Sequence, residues 1–164
     1  MHREDLDNLE EIIGYKFKNR ELLVQALTHS SYANELKMNR KGDYQRMEFL
    51  GDAVLELVAS EELYDKSPGM TEGELSKKRS SMVCEPALAT CTRAIGLQEF
   101  VRLGKGEEMS QGRQRDSIAS DVMEALIGAI FLDDGFDSAA VFVRKAVMGK
   151  LENKKVFRDS KSML

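Results

Sequence analysis

The sequence predicts an all-α domain, and three observations carry that reading. Only two prolines, Pro68 and Pro86, occur in 164 residues. Apolar residues recur at helical rather than alternating spacing, and no convincing strand pattern is present. The polar segments between the periodic ones carry residues that start and stop helices. A hydrophobic content of 42% over a single domain's length is enough to build a core.

Each element has its own signal. Asp5 to Ile13 reads as a short helix closed by Gly14. Asn19 caps a second helix carrying Leu22, Leu23, Ala26 and Leu27. Residues 34–43 are polar and read as a loop. A long helix follows from about Tyr44 to Tyr64, stopped by Ser67, Pro68 and Gly69. Thr71, with Glu74 three residues later, fits a capping box opening a helix to about Val83. Pro86 suits the first turn of the next helix, which Gly96 ends. Residues 104–115 are glycine-rich, charged and loop-like. Ser117 or Asp116 caps a helix to about Leu132, terminated by Gly135, and Asp137 caps a last one from Ser138 to about Leu151. There is no internal repeat.

Composition removes several function classes. The charged stretch Met1 to Glu11 has no apolar core, so no signal peptide is expected. The longest apolar run, Ala125 to Leu132, is far short of the ~20 residues that span a bilayer. Cys84 and Cys91 have neither CxxC spacing nor a secretory context and read as reduced thiols, so a cytoplasmic location is expected. With only His2 and His29 available, a His/Cys zinc site or a Ser–His or Cys–His dyad is disfavoured. The formal net charge is -4 with a pI near 5.4, which at first argues against a nucleic-acid partner. The average hides a split. Residues 141–164 carry seven basic and two acidic residues and sum to +5, so residues 1–140 sum to -9.

The most informative feature is a pair of apolar helices that both carry acids. In Gln45 to Leu63, Met47, Phe49, Leu50, Ala53, Val54, Leu57 and Val58 cover most of the circumference, as expected of a central helix. Glu48 and Asp52 stack four residues apart, and Gly51 leaves room for a close approach. In Ser117 to Leu132, Asp121, Glu124 and Gly128 fall within an arc of roughly 60°. Either pair alone reads as a solvated polar edge. Four acids brought together would repel one another unless a cation sat among them. An all-oxygen donor set suits Mg²⁺, with Mn²⁺ as a substitute, and such a site suits phosphoryl chemistry.

Arg46 to Leu55, RMEFLGDAVL, resembles the signature of the ribonuclease III endonucleases. Four further segments follow in that family's order: LTHSSYANE (Leu27 to Glu35), TEGELSKKRSSMV (Thr71 to Val83), RLGKGEE (Arg102 to Glu108) and SIASDVMEALIGAIFLDDG (Ser117 to Gly135). The resemblance covers nearly the whole chain. It implies an all-α ribonuclease III endonuclease domain, with helices around a central buried signature helix, over residues 1–153. It also implies a homodimer that cleaves double-stranded RNA with Mg²⁺, in rRNA and mRNA processing, leaving 5′-phosphate and 3′-hydroxyl ends with short 3′ overhangs. By motif position, Glu48, Asp52, Asp121 and Glu124 correspond to the family's metal-binding acids, with Asp52 and Glu124 catalytic. Phe49 matches the aromatic that enters a pocket of the partner subunit. No small-molecule cofactor and no membrane are implied.

This chain also departs from the pattern. Gln45 stands where the family usually has Glu, which removes a charge one turn before Glu48. Asp116 replaces a common proline. Residues 154–164 read as a basic tail or linker towards a double-stranded-RNA-binding domain that the sequence does not contain. Arg102, Lys105, Arg113 and Arg115 flank the glycine-rich loop and, with Gln45, are the candidate RNA contacts. Two alternatives remain: an all-α Mg²⁺-dependent nucleotide pyrophosphohydrolase, and a catalytically silent dimeric RNA-binding module.

Overall fold

A computed structural model of the chain describes residues 1–37 and 42–149. The helices are α1 (Arg3–Ile13), α2 (Arg20–Ala26), α3 (Ser30–Glu35), α4 (Gln45–Lys66), α5 (Glu72–Val83), α6 (Glu85–Ile95), α7 (Lys105–Met109), α8 (Asp116–Asp134) and α9 (Phe136–Val143). Short 3₁₀ turns span Leu97–Phe100 and Gly112–Gln114. The only β pairing among the described residues is an isolated parallel bridge between Thr28 and Arg102.

The stop and start residues act as their chemistry requires. Gly14 and Gly96 end α1 and α6 in the left-handed region, both at φ 71°. The Asn19 side chain accepts from the Glu21 N–H, and Thr71 and Glu74 form the reciprocal capping box of α5. Three expectations change. The stretch 104–115 is not an open loop, since it folds into α7 and a 3₁₀ turn. Asp116 does not cap α8; it is the first helical residue, and its carboxylate meets Arg93 Nη1 at 2.7 Å. The last helix starts at Phe136, with Asp137 inside its first turn rather than capping it, and is interrupted after Val143 by a π-turn over Arg144–Met148. That turn keeps Ala146, Val147 and Met148 buried while Arg144 reaches Glu61 and Glu62. The expected boundary at 153 and the basic tail lie outside the described residues.

Helix α8 is the most enclosed. Every residue from Ala125 to Ile130 is buried, as are Ile118, Ala119, Val122 and Met123, with α2, α4, α6 and α9 packed around them. Each fully buried Leu, Ile or Val contributes about 1.5–3 kcal/mol, so this helix anchors the domain. Helix α4 is α8's main partner. Its apolar circumference is divided: Met47, Val54, Leu55, Val58, Ala59 and Leu63 face inward, whereas Phe49 and Leu57 are 82% and 56% exposed.

Two glycines set how closely these helices cross. A Cβ on Gly51 would lie 1.7 Å from the Glu124 carbonyl oxygen, and one on Gly128 would lie 2.3 Å from the Met47 carbonyl oxygen. Both obstacles are backbone, which cannot rotate aside. Loop contacts then fix the start of α4. The Tyr44 N–H donates to the Thr28 carbonyl at 2.9 Å, and His29 N–H donates to Arg102 O at 3.1 Å. At the other end of α8, Asp133 accepts from the Lys18 and Asn19 N–H groups, both at 2.9 Å.

Gly128→Ala is expected to lower the unfolding free energy by at least about 1–3 kcal/mol in a urea titration, the usual cost of overpacking. Gly73→Ala, in α5 with open space around its Cβ position, should instead raise it by about 0.4–1 kcal/mol. Equal effects at the two positions would refute the close-crossing account.

Candidate metal centre

The crossing of α4 and α8 brings the predicted acids together. Glu48, Asp121 and Glu124 each offer a carboxylate oxygen, and these three atoms lie within 4.8 Å of one another. All three side chains are half-buried. Asp52, one turn beyond Glu48, is exposed and is hydrogen-bonded to Glu124. The four residues named from the sequence therefore form one cluster, with Gly51 and Gly128 beside it.

Burial and mutual proximity disfavour charge on these acids. Burial, followed by its contact with Asp52, pushes the Glu124 carboxyl up to about 9. Burial and the adjacent Asp121 push Glu48 up to about 7. Burial also raises Asp121, which is hydrogen-bonded to Glu48. Crowded carboxyls that resist ionisation, and offer only oxygen donors, fit a hard divalent cation such as Mg²⁺ or Mn²⁺.

A second layer of residues escaped the sequence reading. Tyr44 and Asp43 precede α4 and are buried. His29 meets the Tyr44 ring edge-on, with centroids 5.6 Å apart. Its Nδ1 contacts Ser31 Oγ at 2.7 Å, its Nε2 lies 4.0 Å from Glu107 Oε1, and burial lowers its pKa. Glu107 is in turn paired with Arg115. The one available hint was sequence proximity, since Asp43 and Tyr44 stand immediately before the helix that carries Glu48 and Asp52.

The candidate RNA-contact residues have mixed placements. Arg102 donates to Thr28 Oγ1 at 2.7 and 3.1 Å and lies 4.4 Å over the Tyr32 ring. Arg113 donates to the carbonyls of Gln98 and Val101, each at 2.8 Å, and forms a two-pronged pair with Glu108. These two guanidinium groups hold the 98–115 segment in place, and Arg115 is bound to Glu107. The Lys105 side chain is exposed, while its backbone N–H donates to Glu35 at 2.8 Å. Gln45 is exposed and lines a groove of about 700 Å³ shared with Leu22, Met47, Phe49, Leu50 and Leu132.

The raised carboxyls make a pH prediction. A group whose folded pKa exceeds its unfolded value contributes stability below the unfolded value and loses it as the pH climbs through the folded one. For Glu48 and Glu124 that window runs from 4.5 to about 7 and to about 9. In chelator, the melting temperature should fall across this range, and Glu124→Gln should flatten the fall. A divalent cation should raise Tm more at about pH 8 than at about pH 6, because its ligands must be deprotonated. Identical profiles for the two proteins in chelator would refute the charge strain.

Comparison with known proteins agrees with this geometry. Residues 19–151 match the family model described as Ribonuclease-III-like. Ribonuclease 3 of Listeria monocytogenes is 47% identical over 89% of this chain, and the match spans 64% of that relative's length. Ribonuclease 3 of Caldanaerobacter subterraneus is 48% identical over 97% of this chain and 71% of its own. Among solved structures, the nuclease domain of ribonuclease III from Campylobacter jejuni is 38% identical, with a TM-score of 0.81 over 87% of this chain and 95% of that one. In that Campylobacter jejuni domain a region involved in dimer formation is structurally flexible. The family match, the relatives' identity and the fold agree, and the chain belongs to the ribonuclease III family.

Proposed function

We propose that this chain is the endonuclease domain of a divalent-metal-dependent ribonuclease that cleaves double-stranded RNA as a homodimer. The observation that carries the reading is the cluster of Glu48, Asp121 and Glu124, with Asp52 bonded to Glu124 at its open side. Glu48, Asp121 and Glu124 would hold Mg²⁺, with Mn²⁺ as a substitute. A bound cation of this kind supplies an activated water at neutral pH and offsets charge on the phosphate and the leaving oxygen.

The chain's own residues manage the proton. Asp52, hydrogen-bonded to Glu124 at the open side of the cluster, would take a proton from the attacking water and return it to the leaving 3′ oxygen. Water oxygen bonds to phosphorus, the P–O3′ bond breaks, and the products are a 5′-phosphate and a 3′-hydroxyl. Each subunit cuts one strand, which leaves short 3′ overhangs, and the substrates belong to rRNA and mRNA processing in the cytoplasm. Among the described residues no helix is long and apolar enough to cross a membrane.

The dimer reading rests on the outer side of α4. Phe49 is a large apolar side chain left almost fully in water, beside the groove that Leu22, Met47, Leu50 and Leu132 help to line. A two-fold axis lets each Phe49 enter the other copy's groove, since an isologous contact pairs each feature with its complement. Lys105 is the proposed phosphate contact. Arg102, Arg113, Arg115 and Gln45 are proposed to serve the RNA surface through the loop and helix start they shape.

With Mg²⁺ the chain should cut long duplex RNA to products bearing 5′-phosphates, and it should not do so in Ca²⁺ or chelator. Glu124→Ala should cost more than the ~10–100-fold typical of an outer-shell change, with the helical content retained. A folded protein that leaves duplex RNA intact while hydrolysing nucleoside triphosphates would overturn the proposal. Separately, Phe49→Asp should convert the dimer to monomer in sedimentation velocity; a dimer that persists at micromolar concentration would reject the proposed interface.

A further inference from the structure

Tyr44 lies one turn before Glu48, and its side chain is only 2% exposed. Its hydroxyl is buried and has no hydrogen-bond partner. An unpaired buried hydroxyl costs free energy, and native proteins rarely leave one without a reason.

The ring is not free to seek a partner elsewhere. The Tyr44 backbone N–H is bound to Thr28, and its carbonyl accepts from the Glu48 N–H at 2.8 Å. His29 packs against the ring in a T-shaped contact. Asp121, Glu48, Asp43 and Glu107 all act electrostatically on the phenol, Asp121 the most strongly of the four, and with burial they hold it well above its ordinary range. None of these carboxylates is bonded to the hydroxyl. Mg²⁺ sheds its waters reluctantly and usually keeps several, and each retained water needs an acceptor.

We propose that Tyr44 is a positioning residue of the acidic site: its hydroxyl pairs with a water of the hydrated cation that Glu48, Asp121 and Glu124 would hold. The inference rests on the metal reading given above. It explains why a phenol, rather than a phenyl ring of the same shape, occupies a dry position. It also gives the site a preference for a cation that keeps its waters, since a bare ion would leave the hydroxyl unpaired.

The test uses the full chain stripped of metal, with Tyr44→Phe, which keeps the ring and removes only the unpaired oxygen. The chain has four tyrosines and no tryptophan, so Tb³⁺ emission excited at the tyrosine band reports an ion close to a phenol. Tyr44→Phe should dim that emission and weaken Mg²⁺ binding in calorimetry by about 10-fold or more, the scale of an outer-shell loss. Its Tm in chelator should not fall. Glu48→Gln should abolish Tb³⁺ binding in either background. Wild-type protein that binds neither ion would overturn the metal reading and this inference together. Wild-type protein that binds both, with Tyr44→Phe unchanged in Mg²⁺ affinity or in Tb³⁺ emission, would overturn this inference alone.

Discussion

The backbone contact between α4 and α8 is the constraint on which the rest of the structure depends. Side chains normally keep helices 8–10 Å apart. At Gly51 and Gly128 no side chain intervenes, and each glycine meets a carbonyl of the other helix. This close approach lets Glu48 from one helix and Asp121 and Glu124 from the other bring oxygens within 4.8 Å. A wider crossing would leave two separate acidic edges, each hydrated and each unremarkable as a cation site. The same contact places two helices' worth of apolar surface in the core. The fold's strongest packing and its most repulsive charges therefore meet at one place.

The repulsion is offset by that packing. Glu48 and Glu124 resist ionisation in the metal-free chain, and the buried length of α8 from Ile118 to Ile130 supplies the apolar burial that holds them in place. The net charge of -4 gains a physical meaning from this. Part of it is a site whose acids a cation would largely neutralise, so the overall sign is a poor guide to whether the chain meets a polyanion. The salt dependence expected of any phosphate contact would come from residues such as Lys105 rather than from the average.

The elements governed by local chemistry were legible in the sequence. Gly14, Gly96, Asn19 and the Thr71–Glu74 pair act within a few residues of themselves, and their roles follow from residue type alone. The four acids were legible for a different reason: they recur at helical spacing beside a glycine on two apolar helices. Features that depend on long-range pairing were not. Nothing local says whether Arg102 and Arg113 reach a phosphate or their own chain's oxygens, and both turn inward to Thr28, Gln98, Val101 and Glu108. Those same bonds turn 104–115 from a loop into short helical turns. Tyr44 reads in sequence only as the residue before a helix, because its isolation is a property of the folded interior.

Helix α4 shows why core, site and outer surface are hard to alter separately. Successive residues turn by about 100°, so Gly51, Asp52 and Ala53 point in three different directions. The Gly51 side, with Met47, Leu55 and Val58, is buried against α8. The Glu48–Asp52 side meets the acids of α8. The Phe49–Ala53–Leu57 side is exposed. A helix apolar over most of its circumference could not be stable as a lone outer helix, nor need it be fully interior. In the proposed dimer its exposed side becomes a second interior, with the acid pair on the boundary between the two. A change that rotates or shifts α4 to improve packing at Phe49 must then move Glu48 relative to Asp121. The α4–α8 glycine contact resists that motion, because sliding either helix drives its backbone into the other's carbonyls. In that arrangement the proposed dimer face and the acid cluster would be linked mechanically through the α4–α8 crossing at Gly51.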